Sequence, residues 1–189
     1  MATTAALLTA EEFAAMPWKE DGIKRELKNG EIVELGHAKA GHEIVKSDTH
    51  WILADWVVRT DFGRVLSETE YELEKHLSYI PDVSFLSKAR FAALDPNRLA
   101  QGAPDLAVEV VSSESAEYLE EKIEDYLAHG SGSVWVMYPE QRTMRLHAPD
   151  GSSRLLKETD WVEDPEVLPG FRAPVARFFE GLYKHAPSS

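Results

Sequence analysis

Leu106-Ala107-Val108-Glu109-Val110-Val111 is a continuous apolar run broken once, by a carboxylate. A run of this kind reads as a central strand buried on both faces. A carboxylate inside such a strand costs several kcal/mol unless it is paired, protonated or bound to a cation. Glu109 is therefore either half of a structural ion pair or part of a site. Asp105 leads the same strand and, at period two, shares its face with Glu109; it reads equally as a strand-end turn residue and as a site residue.

C-terminal to this strand, Ser113 or Ser115 can cap a helix running to about His129, with Gly130 just past its end. Leu119, Lys122, Ile123 and Tyr126 fall at i, i+3, i+4 and i+7 and share one helix face, which puts a lysine on the buried stripe. Glu117, Glu120, Glu121, Glu124 and Asp125 point elsewhere, as a solvated surface does. Lys122 is either a site residue or a lysine snorkelling from the stripe's edge. Residues 134–138 and 144–147 read as an antiparallel strand pair turning at 139–141. Residues 160–179 mix acids and prolines before a last short helix near 175–181.

N-terminal to the strand, Thr9 and Glu12 form a capping-box pattern before Phe13. This predicts a helix over 10–16, ended by Pro17, and makes 1–20 a peripheral N-terminal helix. Residues 23–27 and 32–35 read as strands joined at Asn29-Gly30, the strongest two-residue hairpin signal. Ile44, Val45, Ile52, Leu53, Trp56 and Val57 recur at helical spacing over 41–58, the main packing helix, with Gly63 as the stop. Residues 65–66 follow, and then Tyr71, Leu73, Lys75 and Leu77 alternate with Glu72, Glu74 and His76 as one half-exposed strand. A further strand, 79–86, is entered through Pro81. In it Asp82 and Ser84 face away from Val83 and Phe85, although Pro-Asp also simply opens turns. Residues 95–102 form a polar loop. The pattern predicts an α/β (α+β) fold, a mixed sheet flanked by helices, in one domain spanning 1–189 without internal repeats or linkers.

The 189 residues suit one domain. At 43% hydrophobic and 28% charged the chain can bury a core. No stretch approaches a membrane span, and residues 1–13 lack a basic segment before their apolar run, so no secretory signal is expected. The absence of cysteine excludes disulfides, thiolate zinc sites and a cysteine nucleophile, which fits a cytoplasmic protein. Lys and Arg total 20 against 33 Asp and Glu, a formal charge of −13. That balance opposes a nucleic-acid partner unless positive charge is found locally or from metal ions.

A strand with a buried Glu, a neighbouring strand with Asp82 and an inward Lys122 form a coherent set. Two carboxylates hold a hard divalent cation, and an ammonium orients water or stabilises charge on phosphate. The sequence resembles the Uma-type putative restriction endonuclease family of the PD-(D/E)XK nuclease superfamily. The resemblance rests on R-E-L-K-N-G-E-I-V-E-L at 25–35, Gly41-His42 opening a helix, I-P-D-V-S-F at 80–85, G-A-P-D-L-A-V-E-V-V-S-S-E-S at 102–115 and K-I-E-D-Y-L-A-H-G at 122–130. It implies a restriction-endonuclease-like core with Asp82 and Glu109 as ligands of Mg²⁺ or Mn²⁺. The superfamily pattern expects lysine at position 111, where this chain has Val111, and the resemblance makes Lys122 its replacement. It also implies that Glu26 adds a metal or water contact, the alternative being an ion pair with Lys28 or another neighbour. The resemblance implies further that His42 contacts phosphate or the metal's surroundings, the alternative being a solvent-facing helix residue. His50, His76 and His129 match no motif.

The leading expectation is a metal-dependent DNA endonuclease, possible as a homodimer and without membrane contact, in which Arg25, Lys28, Lys88, Arg90 and Arg98 give a positive rim. The alternatives are a nuclease-fold binding module that does not cut and a hydrolase of small phosphoesters. A Lys122→Met variant is expected to keep the fold and lose activity.

Overall fold

The computed structural model describes residues 7–17, 21–112 and 114–183. Its elements follow the apolar pattern closely at the N-terminus. Helix α1 (Ala10–Ala14) opens on the Thr9/Glu12 capping box and stops two residues earlier than the sequence predicts; the rest of the expected 1–20 segment, 1–6 and 18–20, lies outside the described residues. Strands β1 (Lys24–Lys28) and β2 (Glu31–Leu35) form the predicted hairpin. Both turn residues, Asn29 and Gly30, have positive φ, 52° and 77°, as the tightest hairpin turn requires. Helix α2 (Ala40–Thr60) ends on Asp61 in the left-handed conformation.

Two predicted strands are each broken in the structure. The 71–77 run is a hairpin, β4 (Tyr71–Glu74) and β5 (Leu77–Tyr79), following β3 (Gly63–Ser67). The turn is held from outside: Ala10 N–H donates to the Lys75 carbonyl at 2.9 Å and Gly30 N–H to that of His76 at 2.8 Å. The 79–86 run splits at Pro81, which has no N–H to continue a ladder. Tyr79 ends β5 in one sheet, and β6 (Val83–Ser87) begins in another.

Helix α3 (Lys88–Ala92) and strand β7 (Ala100–Gln101) follow, the latter inside what reads from sequence as a structureless loop. Strand β8 (Leu106–Val110) is buried at every position, as predicted. Helix α4 (Ala116–Ala128) is capped by Ser115, whose hydroxyl accepts from Tyr118 N–H; Ser113, the other candidate cap, lies outside the described residues. Strands β9 (Ser133–Tyr138) and β10 (Thr143–His147) pair antiparallel as expected. Strands β11 (Ser153–Lys157), β12 (Trp161–Asp164) and β13 (Leu168–Pro174), absent from the sequence reading, precede a 3-10 turn (Val175–Phe179) and helix α5 (Glu180–Tyr183).

Among the described residues the strands form a six-stranded sheet, β11-β10-β9-β8-β6-β3, a five-stranded sheet, β2-β1-β5-β4-β7, and the pair β12-β13. The six-stranded sheet is mixed, with β8 parallel to β9 and antiparallel to β6. This is a mixed α+β fold. On one face of β8, Leu106, Val108 and Val110 pack with Val45, Leu53 and Trp56 of α2. On the other face Ala107 packs with Leu119, Ile123 and Tyr126 of α4 and with Tyr71 and Tyr79 of the five-stranded sheet. Residues of α4 and of both sheets thus share this second core, and the sheets also meet directly where the Tyr71 and Ser84 hydroxyls lie 2.8 Å apart. Among the described residues no helix is long and apolar enough to cross a membrane.

Candidate active site

Strand register builds the site. The β6–β8 ladder pairs Val83 with Val108 and Ser84 with Ala107. Continuing that antiparallel register one step beyond Val83 puts Asp82 opposite Glu109, with both on the face that carries Ala107. Asp82 stands where β6 has ended, and its Oδ2 accepts a hydrogen bond from Val110 N–H of β8 at 2.8 Å. The carboxylate thus takes up a β8 amide beyond the last paired residue of β6.

Asp82 and Glu109 are 3% and 4% exposed. Lys24 Nζ donates to Asp82 Oδ1 at 3.0 Å, and His42 Nε2, from the first turn of α2, lies 3.0 Å from Oδ2. Burial alone raises a carboxyl pKa, but here the charge of Lys24, the His42 hydrogen bond and the Val110 amide outweigh it and hold Asp82 far below the usual carboxylate range. Burial disfavours a charged His42; the hydrogen bond and charge of Asp82 overcome this and raise its pKa.

Glu109 is held on the α4 side. Lys122 Nζ lies 2.7 Å from its Oε1, to which Tyr126 Oη also donates at 2.9 Å. Both contacts fall on Oε1, and among the described residues Oε2 accepts no hydrogen bond. Burial pushes Glu109 up, against the pull of Lys122 and Lys24. Lys122 also donates to Glu26 Oε1 at 2.9 Å and is ringed by Tyr79, Tyr118 and Tyr126, with ring centroids 5.4, 6.0 and 5.9 Å away. Burial opposes its charge, but Glu109 and Glu26 prevail and its pKa is raised. It is a bridging ammonium between two carboxylates, not a lysine snorkelling to solvent.

A cleft of about 130 Å³ opens over these groups, lined by Lys24, His42, Asp82, Glu109, Tyr118 and Lys122 among others. Glu26 is fully buried and does not line it. Its Oε1 also accepts from Ile80 N–H at 2.9 Å and its Oε2 from Tyr118 Oη at 2.8 Å. The structure therefore places Glu26 behind Lys122, as its counter-ion, and not as a direct contact in the cleft; its ion-pair partner is Lys122 and not Lys28. Among the described residues no three His, Asp or Glu side chains converge as a ready-made metal cage.

Arg25 is not brought to the site. Side chains alternate along β1, so Arg25 points opposite to Lys24 and Glu26, and its guanidinium binds Asp21 at 2.7 Å and Glu34 at 3.0 Å. Nor does the rest of the expected positive rim stand free: Lys28 pairs with Glu121, Lys88 with Asp61, Arg90 with Asp105 and Arg98 with Glu11. Asp105, at the opposite end of β8 from Val110, accepts from Ser87 N–H at 2.6 Å as a strand-end residue. His50 bonds Ser67, His76 the Leu8 carbonyl, and His129 Glu74 and the Asp125 carbonyl, all away from the cleft.

The sequence reading missed Lys24, Tyr118 and the Val110 amide. Two signals were available: Lys24 lies two residues before Glu26 on a strand and so shares its face, and Tyr118 lies one helical turn before Lys122.

The fold matches a solved structure described as a "putative nuclease belonging to DUF820" from Anabaena variabilis, with a TM-score of 0.78 and 20% identity, over 93% of this chain and 99% of that one. No curated protein sequence matches the chain. The profile of the Uma2 family, described as "Putative restriction endonuclease", matches residues 10–176. With that match spanning nearly all the described elements, the chain belongs to the Uma2 family of putative restriction endonucleases.

Proposed function

We propose that this chain is a metal-dependent DNA endonuclease that hydrolyses phosphodiester bonds, with Mg²⁺ or Mn²⁺ held by Asp82 and Glu109. The observation that carries the reading is that these two buried carboxylates line one cleft, with Lys122 Nζ 2.7 Å from Glu109. The donor set suits a hard ion. Mg²⁺ keeps several waters and needs only one or two carboxylates beside substrate phosphate, and among the described residues Glu109 Oε2 accepts no hydrogen bond.

When bound, such an ion supplies Lewis-acid stabilisation and an acidified water. The chain's own residues do the rest. His42 and the Val110 amide fix the orientation of Asp82. Glu26, itself fixed by the Tyr118 hydroxyl, holds the Lys122 ammonium, and Tyr126 holds Glu109. Lys122, kept charged by its two carboxylates, orients the attacking water and faces the negative charge that develops on the phosphoryl oxygens.

One observation favours the binding-module alternative: protein cations already pair with Asp82, Glu109 and Glu26, and among the described residues no third His, Asp or Glu completes a metal-binding group with the pair. Incubating supercoiled plasmid with wild type and Glu109→Ala at low salt, with Mn²⁺ or Mg²⁺, separates the two. Metal-dependent nicking by wild type alone supports the nuclease. No cleavage by either protein across supercoiled, linear and single-stranded DNA supports the module.

A further inference from the structure

Two lysines serve the buried carboxylates, and they are held in different ways. Lys122 is bridged by two carboxylates, ringed by three tyrosines and 3% exposed at its side chain. Among the described residues Lys24 hydrogen-bonds one oxygen, Asp82 Oδ1, and its side chain is 23% exposed at the cleft wall. It leads β1, so no residue of that strand precedes it to fence its stem. A four-carbon stem with one hydrogen bond and a solvent side can swing; one locked at both carboxylates cannot.

The charges around it argue in the same direction. Three carboxylates, Asp82, Glu109 and Glu26, face two ammonium groups and the His42 imidazole. Lys24 is close enough for its charge to act on Glu109 and Glu26 as well as on Asp82. A dication and an ammonium on one carboxylate repel, and this repulsion is weakly screened in a buried cleft.

We propose that Lys24 is a resident counter-ion that yields Asp82 Oδ1 when a divalent cation binds and then turns its ammonium to the substrate phosphate. This rests on the metal reading given above. Coupling between the two cations is reciprocal: whatever the metal costs the Lys24–Asp82 pair, Lys24 costs the metal. Lys24 therefore sets the affinity for the ion and links its entry to the arrival of a phosphate that can take up the released ammonium.

The test is direct Mn²⁺ binding, followed by the electron paramagnetic resonance of free Mn²⁺, for wild type, Lys24→Gln, Lys24→Met and Lys24→Arg, with folding checked by circular dichroism. Lys24→Gln and Lys24→Met should bind Mn²⁺ on the order of tenfold tighter than wild type, and Lys24→Arg, which keeps the charge, should stay within about threefold of it. The two neutral variants differ in polarity, so one that misfolds leaves the other to decide. Wild type binding Mn²⁺ with the folded neutral variant no tighter overturns the role of Lys24 alone. No Mn²⁺ binding by any of the four overturns the metal reading and this inference together.

Discussion

Replacing Lys122 with methionine should cost far more stability than a substitution on a helix normally does. Lys122 is 2% exposed, and its partners Glu26 and Glu109 are fully buried and 4% exposed. Methionine removes one charge and leaves two carboxylates without it, Glu26 retaining Tyr118 and Ile80 as donors and Glu109 only Tyr126. Breaking a buried pair by removing one partner costs about 3–5 kcal/mol, a large part of the roughly 5–15 kcal/mol that holds a domain folded. In a chain of this size that lowers the melting temperature by roughly 10 °C. This replaces the sequence-based expectation that Lys122→Met leaves the fold intact. The penalty depends on pH with a definite sign. Burial already pushes Glu109 up, and without Lys122 its folded-state pKa rises further. A carboxyl raised in the folded state contributes stability below its unfolded pKa and loses it as pH rises through the folded value. The deficit against wild type should therefore be largest near pH 8 and shrink toward pH 5. Urea unfolding followed by tryptophan fluorescence at both pH values measures it, and Glu26→Gln/Lys122→Met should recover part of the loss. A Lys122→Met variant within about 1 kcal/mol of wild type at pH 8 would refute the reasoning.

Two further outcomes follow from the same geometry. His42 has a raised folded-state pKa and Asp82 a lowered one, so the first stabilises below the unfolded histidine value and is lost as pH rises, and the second stabilises above the unfolded aspartate value and is lost as pH falls. His42→Gln should therefore lower the urea midpoint more at pH 5.5 than at pH 8.5; an equal loss at both would mean that the imidazole acts by packing alone. Asp164 accepts from the buried Trp135 indole N–H at 2.9 Å, and Asp164→Ala should cost about 1–3 kcal/mol and shift the emission of Trp135, which unchanged unfolding and fluorescence would contradict.

What the sequence made legible is what depends on local pattern. A carboxylate in an apolar run marked Glu109, and a lysine on an apolar stripe marked Lys122, because period two and period 3.6 each assign a face. The Asn29-Gly30 turn was legible, and the cap of α4 was narrowed to Ser113 or Ser115, because their chemistry is confined to a few residues. Asp82 carried no such signal by itself; its place opposite Glu109 comes from a register between strands that no local pattern encodes. Lys24 failed for a related reason. A lysine at the start of a short strand looks like any surface lysine until β1 is set beside the end of β5, where Ile80 N–H reaches Glu26. The 71–79 segment shows the converse, since a strict alternation persists through a turn at Lys75 and His76 that is fixed by contacts from Leu8, Ala10 and Gly30.

The acidity of the chain becomes easier to interpret once the cations are located. Arg25, Lys28, Lys88, Arg90 and Arg98 each face a carboxylate, so the expected positive rim is neutralised at the surface. The cationic groups at the cleft are Lys24, Lys122 and His42, and they too are balanced by Asp82, Glu109 and Glu26. A polyanion approaching the cleft meets lysines that carboxylates already hold, and the non-specific affinity that these groups can draw from phosphate neutralisation is correspondingly small. Under the proposed function, a dication held by Asp82 and Glu109 would change that balance by two charges at one point, and a freed Lys24 would bring a further positive charge to the same phosphate. In the proposed reading the attraction for substrate is created at the cleft by metal entry and does not pre-exist over the surface. Such an arrangement confines phosphate binding to the place where phosphate is cut, and so gives a protein of charge −13 a way to act on DNA without a basic face.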